Sequence, residues 1–230
     1  MPSYGQFCPV AKAMELLDER WTMLVVRELL DGSRHFNDLR RGVPKMSPAL
    51  LSKRLQTLTR AGLVERTEAD GRTSYALTPS GAELHDVVQA IGAWGVRWIP
   101  EIGDHDLDPH LLMWDIHRKM PIDEWPRERT VLAFRLASVA SSKSSSWWLV
   151  VADGRADVCD FDPGYDVTAT VSCTLRALTE IWRGDASWSH ALGQGSVSID
   201  APSQVRRAVP AWLGQSRMAA VPRPAPLSNR

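Results

Sequence analysis

Cysteine is scarce in this sequence, and the three that occur, Cys8, Cys159 and Cys173, are too scattered for a disulfide framework or a paired zinc motif. That usage points to a reducing, cytoplasmic location. No unbroken apolar run reaches the roughly 18 residues of a membrane span, and Met1-Pro2-Ser3-Tyr4 lacks the basic and apolar regions of a secretory signal. No membrane partner is expected. Net charge is missing too: 27 basic and 27 acidic side chains cancel, which excludes a uniformly basic chain but not a basic face. There is no nucleophile elbow, no phosphate-binding glycine loop, and no evident catalytic grouping of the six histidines with Ser or Cys. An enzyme and a bound cofactor are therefore not expected. His105 and His110 sit among Glu101, Asp104, Asp106 and Asp108, but without the helical or CxxC-like spacing of metal ligands, so no metal is expected either.

What is present is uneven. Between Arg34 and Arg60 lie Arg34, Arg40, Arg41, Lys45, Lys53, Arg54 and Arg60 against the single acid Asp38. A solvated helical face and an electrostatic footprint for an anionic partner both fit such a run. The surrounding pattern predicts helices from Pro9 to Leu17, from Trp21 to Leu30 with Leu24, Val25 and Leu29 inward, and near Asn37 to Arg41. Ser47 is a natural N-cap with Pro48 behind it, opening a helix that ends at Ala61-Gly62. Leu51, Leu55 and Leu58 define its buried stripe, which turns Ala49, Lys53, Gln56 and Arg60 outward with Ser52 at the edge. Strands from Leu63 to Glu68 and Thr73 to Leu77 flank Asp70-Gly71, a hairpin signal. Helix, short helix, capped helix with a basic face, then hairpin is the order of a winged helix-turn-helix, whose second helix suits the major groove of double-stranded DNA.

Cys8-Pro9-Val10-Ala11-Lys12-Ala13, Glu19-Arg20-Trp21-Thr22, Phe36-Asn37-Asp38-Leu39-Arg40, Met46-Ser47-Pro48, Leu51-Ser52-Lys53-Arg54-Leu55 and Tyr75-Ala76-Leu77-Thr78-Pro79 resemble the HxlR-type transcriptional regulators, over about Cys8 to Trp98. The resemblance implies a dimeric DNA-binding protein with Ser47 to Ala61 as recognition helix and a wing carrying Arg66 and Arg72. On that reading Ser47, Ser52, Lys53 and Gln56 meet base edges. Arg34, Arg40, Arg41, Lys45, Arg54, Arg60 and Arg72 complete the DNA-binding set, the arginines Arg40, Arg41, Arg54, Arg60 and Arg72 as phosphate binders. Arg20 and Arg27 are expected to hold helix ends or pair with Glu19 or Glu28. Some regulators of this family use the cysteine at the Cys8 position to sense oxidants or electrophiles; the other reading of Cys8 is a small residue packing the first helix against its dimer mate. A long helix from Thr78 to Trp98 carries Leu84, Val87, Val88, Ile91, Trp94 and Trp98 at helical spacing. This stripe and the first helix are the expected homodimer interface, which would pair with an inverted-repeat operator.

Beyond Pro100 the composition changes. Strands are predicted at Val131 to Leu136, Trp147 to Ala152, Ala156 to Phe161 and Val167 to Cys173, then a helix with Leu175, Leu178, Ile181 and Trp182, a strand at Ser196 to Asp200 and a last helix from Ser203 to Leu213. Trp147-Trp148-Leu149-Val150-Val151, Leu175-Arg176-Ala177-Leu178-Thr179, Trp182-Arg183-Gly184-Asp185 and Gly195-Ser196-Val197-Ser198-Ile199 are similar to the sterol carrier protein-type fold. The resemblance implies an apolar small-molecule effector, with Trp114, Trp147, Trp148, Trp182 and Trp188 as pocket candidates. The expected class is thus α+β: a winged-helix DNA-binding and dimerisation domain at 1–102, an acidic linker at 103–106, a sterol carrier protein-like effector domain at 107–215 and an unstructured tail at 216–230. The competing class is a lipid-binding or transfer protein whose winged helix binds protein instead of DNA.

Overall fold

The computed structural model describes residues 3–99, 101–139 and 144–224. Proline opens the first helix, α1 (Pro9–Leu17), at a position whose amide hydrogen has no intrahelical partner. After a short turn come α2 (Thr22–Leu30) and α3 (Phe36–Gly42), then α4 (Pro48–Arg60), where the Ser47 hydroxyl accepts from the Leu50 amide at 3.3 Å. Strands β1 (Val64–Ala69) and β2 (Arg72–Leu77) pair antiparallel around Asp70-Gly71, whose positive φ values of 52° and 70° suit a two-residue hairpin turn. The Tyr75 amide donates to the Arg34 carbonyl at 2.8 Å, tying the hairpin to the chain entering α3.

The core of this part joins Val25, Val26 and Leu29 of α2 to Leu39 of α3, to Leu51, Leu55 and Leu58 of α4, and to Val64 at the start of the hairpin. Leu24, expected inward, is instead 40% exposed. The buried arc of α2 runs through Thr22, Val25, Val26 and Leu29, and at 100° per residue Leu24 falls outside it. Glu28 is fully buried, pairs with Arg27 at 2.7 Å, and stands so close to Gly42 that a Cβ there would collide with its carboxylate. Arg27 also donates to the Gly42 carbonyl at 2.9 Å, so this pair clamps α2 onto the end of α3.

The single helix expected from Thr78 is two, α5 (Pro79–Ala82) and α6 (Leu84–Trp98). The Thr78 and Ser80 hydroxyls both donate to the Gly62 carbonyl, at 2.6 and 3.1 Å, and hold the first turn against the base of the hairpin. Neither α1 nor α6 contains a buried residue. Val87, Ile91, Trp94 and Trp98 follow at helical spacing on α6 and are between 43% and 57% exposed.

The chain divides into two compact units between Trp94 and Gly95. In the second, α7 (Pro109–Lys119) precedes β3 (Thr130–Ala137), β4 (Ser146–Ala152), β5 (Arg155–Cys159) and β6 (Ala169–Thr174). Then come α8 (Leu175–Arg183), α9 (Trp188–Gly193), β7 (Val197–Asp200) and α10 (Ser203–Leu213). The five strands form one sheet ordered β5-β4-β3-β6-β7, antiparallel except for the parallel pair β3 and β6. Leu132, Phe134 and Leu136 face the same side as Leu149, Val171 and Ile199, and on that side pack Met113 and Ile116 of α7, Leu178 and Ile181 of α8, and Val209 and Leu213 of α10.

Two expectations for this half change. The acidic stretch 103–106 is folded, not a plain linker: Asp104–Asp106 make a 3-10 turn, the Asp106 carboxylate accepts from the Gly103 amide at 2.9 Å, and Asp104 pairs with Arg176. Asp108 caps α7 through the His110 and Leu111 amides. The stretch expected to be an unstructured tail is ordered over 216–224, because the Ser216 amide donates to the Trp182 carbonyl and Arg223 binds both the Arg183 carbonyl at 2.8 Å and Asp185 at 2.6 Å. Residues 225–230, including Pro226, lie outside the described residues.

Candidate nucleic-acid interface

The buried stripe of α4 fixes what its other face presents. With Leu51, Leu55 and Leu58 in the core, Ser47, Ala49, Lys53, Gln56 and Arg60 are exposed and Ser52 is half-buried. Arg34, Arg40, Arg41 and Lys45 are exposed on the segments leading into α4, with Arg41 4.0 Å from Asp38, and Arg72 is exposed on the hairpin. Arg66, the other wing cation, donates to Glu68 at 3.0 Å.

Arg54 departs from this set. It is buried, donates through Nε to the Arg20 carbonyl at 3.2 Å, and forms an ion pair with Glu19. It fastens α4 to the turn before α2, so it positions the helix instead of offering its charge to a phosphate. Its spacing carried the signal: Leu51, Arg54, Leu55 and Leu58 stand at i, i+3, i+4 and i+7. Glu19 accordingly pairs with Arg54, while Arg20 places its guanidinium 5.3 Å from the centre of the Trp21 ring.

Residues 16–103 match the family model described as HxlR-like helix-turn-helix. The chain is 36% identical over 99 residues to the uncharacterized HTH-type transcriptional regulator YvaP of Bacillus subtilis, a match spanning 41% of this chain and 92% of that protein. A regulator of Synechocystis, sll1512, is 34% identical over 42% of this chain and 74% of its own. YodB of B. subtilis, an HTH-type transcriptional regulator, is 34% identical over 42% of this chain and 89% of its own. The solved structure of reduced YodB aligns with a TM-score of 0.37 at 30% identity, over 42% of this chain and all of that one. The chain belongs to the HxlR-like helix-turn-helix family. It is a transcriptional regulator that binds DNA, and these relatives are named as regulators, not enzymes.

In this HxlR-family chain Cys8 occupies the N-cap position of α1 and is half-buried, and its carbonyl accepts from the Lys12 amide at 3.0 Å. Among the described residues, no group of three or more His, Cys, Asp or Glu is placed to hold a metal ion, and no helix is long and apolar enough to cross a membrane.

The tryptophans of the second unit lie in different surroundings. Trp147 and Trp182 belong to the main core, Trp148 lies on the other face of the sheet under Arg135 at 4.8 Å, Trp114 stacks on His117 at 5.2 Å, and Trp188 packs half-buried against the core. They fill volume, the commoner use of large aromatics. The Trp182 indole also donates to Asp115 at 2.8 Å. Burial pushes the Asp115 carboxyl up, but Lys119 at 2.8 Å, Arg118 at 3.0 Å and that indole outweigh it and hold the group below the usual carboxylate range.

An open cleft of this unit, about 700 Å³ in volume, has Leu107, Val139 and Leu175 as apolar walls. Asp104, Ser138, Thr174 and Arg176 supply its polar groups. Neither Asp104 nor Arg176 was singled out as a site residue by sequence reasoning, because their pairing joins positions far apart in the chain.

Proposed function

We propose that this regulator acts as a homodimer on an inverted-repeat operator, with α4 as the recognition helix in the major groove. Ser47, Ser52, Lys53 and Gln56 read base edges, while Arg34, Arg40, Arg41, Lys45, Arg60 and Arg72 hold phosphates and set the register. The observation that carries this reading is the exposed face of α4, flanked by exposed cations on the preceding segments and on the wing. The apolar stripe Val87, Ile91, Trp94 and Trp98, together with the exposed Val10 and Met14 of α1, supports dimerisation through these two helices. The second unit is read as a sterol carrier protein-type effector domain, a reading its helix-covered sheet supports.

A gel shift with DNA from upstream of the protein's own coding region tests the reading. Binding should survive competitor DNA, weaken steeply with salt and protect an inverted repeat. No preference for that DNA over competitor at physiological salt would remove the reading of an inverted-repeat operator at that site and favour the alternative of a lipid-binding protein whose winged helix binds protein.

A second reading, redox or electrophile control through Cys8, is favoured by its half-buried place at the start of α1, next to the proposed dimer face. Solved structures of the relative YodB include quinone-bound and diamide-treated forms. Operator release by diamide that persists unchanged in Cys8→Ser removes this reading.

A further inference from the structure

The cleft in the second unit lies at the carboxyl ends of its one parallel strand pair. Ala137 and Thr174 are register partners and close β3 and β6, and Ser138, Val139, Thr174 and Leu175 continue from those ends into the cleft wall. Open sheets collect ligands at this position, where the chain turns away from the sheet. Its volume of about 700 Å³ is within the range of small-molecule sites. The walls formed by Leu107, Val139 and Leu175 favour an occupant with an apolar part.

Charge narrows the class further. Arg176 donates to the Asp104 carboxylate at 2.6 Å and to the Ile102 carbonyl at 3.1 Å, with Glu180 3.6 Å away. The Asp104 side chain is 94% exposed, and an exposed ion pair of this kind is easily exchanged for another carboxylate. A single guanidinium fork matches one planar carboxylate. A phosphate dianion would add its second charge beside Asp104 and Glu180, and a neutral sterol would leave the Arg176 and Asp104 pair untouched.

We infer that this cleft binds an amphipathic organic acid whose carboxylate replaces Asp104 on Arg176 while its hydrocarbon part lies against Leu107, Val139 and Leu175. Asp104 is then an internal competitor, and its displacement loosens the 3-10 turn 104–106 that follows α6 in the chain. The inference deepens the effector reading and rests on it for regulatory meaning, although binding is measured separately.

The test is calorimetric titration of the full chain with sodium octanoate and with its neutral counterpart octanamide. Octanoate should bind saturably and octanamide at least tenfold more weakly. Arg176→Met should remove octanoate binding. Asp104→Asn, at an exposed site, should tighten it severalfold, a gain that misfolding does not produce. Equal binding of octanamide, no saturable octanoate binding at millimolar concentration, or an Asp104→Asn variant that binds no tighter would overturn the assignment. Operator affinity measured with the cleft saturated separates the two readings: unchanged affinity removes the effector role and leaves the cleft, whereas absent binding removes the cleft alone.

Discussion

Lys53 and Arg54 are neighbours with different work. Lys53 stands exposed on α4, while Arg54 is buried against Glu19 and the Arg20 carbonyl. Lys53→Ala or Arg60→Ala should each reduce the slope of log affinity against log salt by about one. Arg54→Met should leave that slope unchanged and lower stability by about 1–3 kcal/mol, toward the lower end because Glu19 is 40% exposed. Denaturant titration beside salt-dependent gel shifts checks both. Cysteines divide in a similar way: burial pushes the Cys173 thiol up to about 12, so it carries almost no thiolate at pH 8. Iodoacetamide on the native protein should label half-buried Cys8 well before Cys173, read by mass spectrometry. The raised value also has a sign. The stability the neutral thiol contributes is present below the unfolded value of about 8.5 and is lost as pH climbs toward 12. The basic run and the family resemblance put Arg54 among the phosphate contacts, and only its i+3 place after Leu51 argued otherwise. Its partner Glu19 lies in another element, so no local pattern named it.

At the scale of elements, the pieces that were legible are those with local chemistry. Pro9, Ser47-Pro48 and Thr78-Pro79 mark helix starts, and Asp70-Gly71 and Asp153-Gly154 mark hairpin turns, both with positive φ at both residues. The helix α7 went unread although Asp108-Pro109 carries the same signature, because the acids around it suggested a linker. The tryptophans carry no such local signal: density in sequence says nothing about whether rings face a void or each other, and Trp125 stacks on Trp212 at 5.3 Å. The stripe on α6 gives the element-level prediction. Ile91→Asp, at a site 55% exposed in one chain, should leave thermal unfolding nearly unchanged yet convert the protein to a monomer and weaken operator binding, measured by sedimentation and gel shift.

For the whole molecule, neutrality is an average: the first hundred residues hold 13 basic and 11 acidic side chains, the remainder 14 and 16. Two units with separate cores should answer acid differently. Asp115 has a lowered folded value, so its contribution is present above the ordinary aspartate value of about 3.9 and is lost as pH falls through the folded one. Asp115→Asn should therefore destabilise the second unit by about 1–3 kcal/mol at pH 7, and by progressively less as pH falls below the ordinary aspartate value, in urea titrations followed by tryptophan fluorescence. The parallel pair β3 and β6 reaches further. It joins Leu132 to Ala169, with the hairpin of β4 and β5 between them in sequence, whereas α2, α3, α4 and the first hairpin meet near neighbours. Contacts between distant segments form late, and the chain leaves the ribosome from its N-terminus. The helix-turn-helix should be folded while β6 is still being synthesised, so the DNA-binding part of each new molecule is complete before the second unit has its core.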